Sequence, residues 1–348
     1  VDAGARSETK ENEMSFLNAS LDWFLGKRAG HMGPDQYVAH AGMRNGKPTS
    51  GALLWAESEA KTVSSTGNMV NAETSLLHKV GGDIENFVSL GTAIVELGPG
   101  TTVAFRNKTL PIARRLQSEV CILVDESVAF LKQIATANNF PDLEIRPIID
   151  DFFATESAYW GEEALVCSFG STISNFVGPV SQELPQAVLV DGLSKMALAA
   201  NSGWMLVAFD SDHDEQRIKS FYKGQALFQL NIFDRMAVEL PLERGFDPNL
   251  FEYEPQWIVT SGQLAHMAVV REKMNFKLDG VAISLKQGQK LHIKNSYKFA
   301  PRFFERCCEM AGLEIIESWS DDSPAKIYLL KILPKRAVVQ LPKPDKAA

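Results

Sequence analysis

Val95-Glu96-Leu97-Gly98-Pro99-Gly100-Thr101-Thr102 is the stretch that decides how this chain is read. The residues leading into it, Thr92-Ala93-Ile94-Val95, are apolar and largely β-branched, as a strand buried on both faces of a parallel sheet has to be. The run ends in an acid, Glu96, and breaks into the turn Gly98-Pro99-Gly100. A Gly-x-Gly turn lets the backbone come close to a ligand. At the carboxyl end of the first strand of a doubly wound sheet that ligand is commonly a nucleotide-like cofactor. An ordinary strand-to-turn transition in an α/β domain is the competing reading.

A dinucleotide fingerprint has a third glycine three residues after the second, which packs the helix on the strand and aims its N-terminus at a pyrophosphate. Here that position is Val103, which disfavours a dehydrogenase. An acid at the strand end followed by Gly-x-Gly is similar to the first motif of S-adenosylmethionine (SAM) methyltransferases, whose cofactor carries no phosphate.

Composition sets the outer limits. The chain has 348 residues, 45% hydrophobic and 22% charged, which is globular and enough for one large domain or two ordinary ones. A net charge of −8 argues against nucleic acid as a partner. No apolar run is long and clean enough to span a bilayer, so no membrane partner is expected. The stretch from Val1 to Glu13 is polar and lacks the pattern of a secretory signal. Cys121, Cys167, Cys307 and Cys308 show no zinc-like spacing, and are expected to be buried, reduced thiols in a cytoplasmic protein. The acids Asp212, Asp214 and Glu215 read as a solvated turn, and no metal is expected.

Along the chain, residues 1–13 and 335–348 are expected to be frayed tails. Met14, Leu17, Leu21, Phe24 and Leu25 recur at helical spacing. The stretch to residue 70 shows no steady period and reads as loop and short elements. Asn71 is a candidate cap for a helix with Leu76, Leu77, Val80, Ile84 and Phe87 on its apolar side. Strands then alternate with helices: strands over 92–97, 120–124, 143–149, 165–169 and 205–209, and helices over 110–116, 127–137 and 182–198. This is the rhythm of a parallel sheet. It breaks after Asp210, where acidic turns, a helix over 227–238 and strand-like runs at 265–270, 275–278 and 291–293 follow. A helix from Pro301 to Gly312 and strands over 313–317 and 327–332 close the chain.

Four candidate sites fall at predicted strand ends. Glu96, Gly98 and Gly100 form the first. Asp125, after Cys121-Ile122-Leu123-Val124, can accept both hydroxyls of a ribose, or simply cap a helix. Asp151-Phe152, after Ile148-Ile149, can bond an adenine amino group and cover its ring. Gly170-Ser171-Thr172-Ile173-Ser174-Asn175-Phe176, after Val166-Cys167-Ser168-Phe169, would sit beside the transferred group, or be a capped helix start.

Together these residues resemble one family. Phe169 to Phe176 resembles the G-S-T-I-G-N-F signature of the histidine-specific Nα-methyltransferases, which make histidine betaine in ergothioneine biosynthesis. Their first motif resembles Glu96-Leu97-Gly98-Pro99-Gly100-Thr101, their ribose acid matches Asp125, and their G-D-F motif matches Asp150-Asp151-Phe152. Phe228-Gln229-Leu230-Asn231 resembles the family's F-N-L-N, and Ser296-Tyr297-Lys298-Phe299 its S-x-K-F/Y. The resemblance runs from about Asn71 to Ile332. It implies a Rossmann-like class I methyltransferase sheet, formed by 71–210 and 299–334, with SAM as cofactor. It also implies a second, substrate-binding lobe built from 14–70 and the insertion 211–298.

By that resemblance Asn175 holds the substrate's α-amino group, as the catalytic residue, with Gly170 and Thr172 around it. Tyr222 matches a tyrosine that helps hold the carboxylate, and Met267 a pocket methionine. Ser296 is the serine of the S-x-K stretch. Glu96, Gly98, Gly100, Thr101, Asp125, Asp151, Phe152 and Ser171 would contact SAM, with Lys108 in place of a family lysine. Two positions depart from the pattern. Where the family has a glutamate that reads imidazole, this chain has Lys294; where it has a tyrosine, Asn68. Either Lys294 inverts the pocket to favour an acidic or hydrogen-bond-accepting side chain, or it points to solvent. The expected activity is methylation of the amino group of a small amino acid or amino-acid-derived metabolite other than plain histidine, by a monomer or homodimer. Methylation of histidine itself, methylation of another small-molecule nitrogen, and a catalytically silent SAM-binding protein are the alternatives.

Overall fold

The computed structural model describes residues 15–333, apart from 64–68, 138–139, 154–158 and 200–202. Both expected tails, and Asn68, lie outside the described residues. A helix over 15–24 (α1) comes first. A short 3₁₀ turn at Pro34–Tyr37 and the small hairpin of β1 (Met43–Arg44) and β2 (Lys47–Pro48) lead into helices α2 (Gly51–Val63) and α3 (Met69–Ile84). The sheet then begins: β3 (Ala93–Leu97), α4 (Thr102–Asn107), α5 (Thr109–Arg115), β4 (Val120–Asp125), α6 (Val128–Thr136) and β5 (Glu144–Ile149). It continues through β6 (Ala164–Ser168), α7 (Gln186–Leu198) and β7 (Gly203–Asp210). The next stretch holds α8 (Glu215–Lys223), α9 (Ala226–Glu239), β8 (Phe251–Ile258), β9 (Gln263–Val270), the hairpin β10 (Met274–Leu278) and β11 (Val281–Leu285), and β12 (Lys290–Tyr297). The chain returns to the sheet with α10 (Pro301–Met310), β13 (Leu313–Ser320) and β14 (Ala325–Ile332).

Seven strands form one sheet in the order β13-β14-β7-β6-β3-β4-β5. It is parallel from β5 to β7, and β14 enters antiparallel between β7 and β13. From β3 the chain winds outward through β4 to β5, then returns to the other side of β3 for β6 and β7. The order therefore reverses between β3 and β6, and the crevice at their carboxyl ends is where such sheets bind ligands. This is the doubly wound, Rossmann-like sheet that the sequence predicts. β3 and β6 are buried at every position because helices cover both faces. Val95, Ile122, Val166 and Val207 pack toward one helical layer, and Ile94, Cys121, Leu165 and Leu206 toward the other. All four cysteines are buried and free.

A second core lies beside this sheet. The antiparallel sheet β12-β9-β8 and the β10–β11 hairpin surround Phe233, Phe251 and Phe276, and α1 adds Phe16, Trp23 and Phe24 to the same cluster. The rings of Phe233 and Phe251 stack 3.7 Å apart. The segment after α1 runs along β12, where the Gly30 and Met32 amides donate to His292 and Ile293 carbonyls. Gly30 is required by this approach: a Cβ there would lie 2.3 Å from the Gly178 carbonyl oxygen. No helix among the described residues is long and apolar enough to cross a membrane.

Several elements differ from the sequence reading. The loop expected before residue 70 contains the 13-residue helix α2. Asn71 lies inside α3 rather than capping it. The acidic turn after Asp210 is short, because Asp214 caps α8 by accepting from the Arg217 amide at 2.9 Å. β8 was not anticipated; it alternates buried and exposed residues and carries Pro255, which an edge strand tolerates.

Candidate active site

The crevice between β3 and β6 opens into a cavity of about 380 Å³. Glu96, Gly98 and Gly100 from the end of β3 line it, with Asp125 from β4, Asp151 and Phe152 after β5, and Gly170, Thr172 and Asn175 after β6. Four strand ends that are far apart in sequence are thus brought to one wall. Gly98 has a φ of +71°, and an added Cβ would sit 3.0 Å from Thr172 Cγ2, so the first and last of these loops touch through a position only glycine fits.

The carboxylates in this wall are held unusually. Glu96 is buried, and burial pushes its carboxyl up to about 7 against the hydroxyl of Thr109 and the charge of Lys108. Its Oε2 has no hydrogen-bond partner among the described residues. Asp125 is pushed up to about 6 by burial, although the Ser127 amide donates to it at 2.7 Å and the Gly100 amide also bonds it. Asp151 accepts from the Phe153 amide at 2.9 Å and leaves an edge toward the cavity.

Glu73 of α3 is fully buried and ties the loops together. It accepts the Gly170 amide at 2.8 Å and pairs with Lys108 Nζ at 2.8 Å. Burial alone would lower the Lys108 pKa, but Glu73 outweighs it and holds the ammonium above its usual range. Lys108, which the resemblance assigns to the cofactor, therefore has its first partner within the protein. Thr101 is the N-cap of α4 and donates its hydroxyl to Glu59.

A second, smaller recess of about 40 Å³ adjoins the first. Asn175, Gly170, Tyr37, Trp55 and Lys294 line both. Tyr222, Gln225, Gln229, Ser296 and Lys298 complete it from α8, α9 and β12 and their ends, with Ser171 and Ser174 on the side of the seven-stranded sheet. Ser296 donates to Asn175 Oδ1 at 3.2 Å, and His266 Nε2 lies 3.1 Å behind the serine hydroxyl. The other ring nitrogen of His266 meets the Tyr253 hydroxyl at 2.8 Å, and burial drives its pKa well down, so the ring is neutral. Ser171 holds a left-handed φ of +59° and accepts the Asp210 amide at 3.1 Å. Lys298 pairs with Asp210 at 2.6 Å and reaches the Tyr222 hydroxyl at 3.3 Å.

Lys294 is 6% exposed, and among the described residues it has neither a carboxylate partner nor a side-chain hydrogen bond. Its ammonium lies 4.7 Å from the centre of the Phe228 ring and 5.3 Å from that of Tyr37. Burial lowers its pKa to about 7. Of the two orientations the sequence leaves open for this lysine, the solvent-facing one is not adopted: Lys294 is buried and lines both cavities.

Most residues singled out in the sequence thus meet at the two cavities. Ser171, Tyr222 and Ser296 reach only the smaller one, and Thr101 and Met267 line neither. His213, His266 and His292 line neither cavity. The sequence did not single out Tyr37, Trp55, Glu59 or Glu126 as lining residues, nor the clamp of Glu73. Glu73 ends the stretch Val70-Asn71-Ala72-Glu73, which resembles a T-R-T-E stretch of the histidine-specific methyltransferases, and none of the others carries a motif.

A family model described as histidine-specific methyltransferase, SAM-dependent, matches residues 68–331. The chain is also 38% identical over 301 residues to an uncharacterized Sinorhizobium fredii protein, y4iF, covering 81% of this chain and 99% of that one. Among solved structures, a SAM-dependent methyltransferase of Clostridium acetobutylicum overlaps 80% of this chain and 97% of its own, at 10% identity and a TM-score of 0.44. SAM-bound CalS10, an amino pentose methyltransferase of Micromonospora echinaspora, overlaps 79% and 96%, at 11% identity and a TM-score of 0.38. The assignment rests on the family match and the 38% relative. This chain belongs to the SAM-dependent histidine-specific methyltransferase family and is a methyltransferase with SAM as its cofactor. The larger cavity fits that cofactor: Glu96 Oε2 is an unpartnered acceptor for an ammonium, and Gly100 leaves the wall open, with Trp55 Nε1 3.8 Å from where a Cβ would lie.

Proposed function

We propose, with that family membership as premise, that the enzyme methylates the amino group of a small amino acid or amino-acid-derived metabolite whose side chain is not imidazole. The observation that carries the reading is the seat of Asn175, at the junction of the two cavities and braced by Ser296. In this reading Asp125 would accept the ribose hydroxyls, Asp151 the adenine amino group, and Glu96 the ammonium of the cofactor's amino acid tail. Phe152 would cover the adenine ring, with Gly98 and Gly100 backing the ligand.

When bound, SAM supplies a methyl group already activated by its sulfonium. The protein's own task is to hold a neutral amine in line and to keep water out. Asn175 does the first: Ser296 donates to one lone pair of its carboxamide oxygen, and the other is left to accept an amine N–H and so turn the amine's own lone pair toward the methyl group. The rings of Tyr37 and Trp55, which line both cavities and are backed by Phe228 at 5.1 and 5.2 Å, do the second by walling the junction. Alignment of this kind lowers a barrier by up to about 7–11 kcal/mol in well-oriented systems.

Incubation with SAM and each of the twenty amino acids, reading S-adenosylhomocysteine, tests the proposal. Turnover with one or a few amino acids other than histidine is expected. Turnover with histidine alone would overturn the reading of the pocket, and SAM binding without any turnover would favour a silent or non-amino-acid role.

A further inference from the structure

We propose that Lys294 anchors the substrate's side chain, and that the substrate is an amino acid whose side chain ends in a carboxylate. The inference rests on the amino-acid reading above and adds the side chain to it.

Charge in the smaller recess does not balance. Its lining holds two lysines and no acid. Lys298 is neutralised by Asp210, 2.6 Å away, but Lys294 has no such partner among the described residues. A buried ammonium without a counter-charge is costly, and a ligand anion removes that cost. A cationic or imidazolium side chain would meet the same lysine as a like charge.

The lysine is also aimed. The pairing of β12 with β9 slips between His292 and Lys294, and such a bulge turns a side chain away from the regular alternation. The stem of Lys294 packs on Gly33, where an added Cβ would lie 3.4 Å from Lys294 Cβ. The tip lies over the faces of Phe228 and Tyr37, and the edge of Trp55 closes against both rings. Aromatic faces stabilise a cation without consuming its hydrogen bonds, so the ammonium keeps its N–H groups for a ligand.

The rest of the recess asks for the other half of an amino acid. Gln225 and Gln229 bring buried side-chain oxygens that have no partner among the described residues, acceptors for a ligand's N–H groups. Lys298 and the Tyr222 hydroxyl offer separate donors for an α-carboxylate. Burial that leaves Lys294 near 7 when alone is reversed by an anion beside it.

Calorimetry on the full-length protein with S-adenosylhomocysteine bound tests this, titrating L-aspartate, L-glutamate, L-asparagine, L-glutamine and L-histidine. One acidic amino acid is expected to bind about tenfold or more tighter than its amide counterpart. In Lys294→Gln that ratio should collapse to near one, with S-adenosylhomocysteine affinity kept within about twofold. Equal loss of acid and amide binding in Lys294→Gln would overturn the inference, since the lysine would then read the α-carboxylate common to all. So would a wild-type protein that prefers the amide or histidine, whatever the variant does. If S-adenosylhomocysteine binds and no amino acid does, the amino-acid reading falls and takes this inference with it.

Discussion

Replacing Lys294 with methionine should make the ligand-free protein more stable at neutral and acidic pH and change little at high pH. Burial alone moves this lysine from its ordinary 10.5 to about 7. At about 1.36 kcal/mol per unit, that drop sets an upper bound of about 5 kcal/mol on the cost of burying the charge. The Phe228 and Tyr37 faces return about 1–2 kcal/mol as cation–π attraction, and methionine keeps the apolar contact, so a net gain of about 1–4 kcal/mol is expected. The sign follows from proton counting. Below about pH 7 folded and unfolded chains both hold the proton, and the folded state bears the whole cost. Between about 7 and 10.5 the unfolded chain holds it and the folded chain does not, so wild-type stability climbs with pH. Above 10.5 both are neutral and the advantage of Lys294→Met is gone. With about 2.1 cal/mol/K of unfolding entropy per residue, a gain of that size moves Tm by roughly 1–6 °C. Scanning calorimetry of both proteins at about pH 6, 8 and 10 reads this out. A variant no more stable at acidic pH, or a difference that stays constant across the range, would refute the reasoning.

Asn175→Ala should cut kcat/KM by about 10²-fold through loss of one positioned hydrogen bond, while SAM affinity by calorimetry stays nearly unchanged. Comparable loss of both would remove the role given to Asn175. Glu73→Gln strands the buried Lys108 ammonium and should cost about 3–5 kcal/mol, visible as a lower Tm and weaker SAM binding. Because the Glu96 carboxyl sits near 7, its ionised fraction grows as pH rises through neutrality. If it receives the cofactor's ammonium, SAM affinity should climb over about pH 6.5–8, and Glu96→Gln should flatten that climb. An unchanged pH profile in the variant would remove Glu96 from the site.

The sheet was legible because its central strands are short apolar runs that end in acids or glycines, as at Val95–Gly100 and Val124–Asp125. Helix α2 was not, and the reason is functional. Over its described side chains, 51–60, the buried positions are Gly51, Ala52 and Glu59, and Trp55 and Glu59 line the cavity, so that stretch lacks the apolar stripe that marks a packed helix. α8 buries only Ile218 for the same lack of a stripe. Pro255 hides β8, because a proline inside a strand pattern argues against a strand unless the strand is at an edge. At the site, loops with Gly-x-Gly and Gly-Ser-Thr patterns announce themselves locally. Glu73 does not, since its partners Gly170 and Lys108 become neighbours only in the fold. Lys294 was visible as a departure, but its direction depends on a bulge set by pairing with β9, which no local pattern encodes.

The account stands on donor and acceptor sites meeting at Asn175, and a crystal of the enzyme with S-adenosylhomocysteine is the most direct test. The account predicts ribose hydroxyls bonded to Asp125, the adenine beside Asp151 and Phe152, and the sulfur facing the recess between Gly170 and Asn175. A nucleoside bound outside the crevice of β3 and β6, or a sulfur turned away from Asn175 and the Lys294 recess, would contradict it.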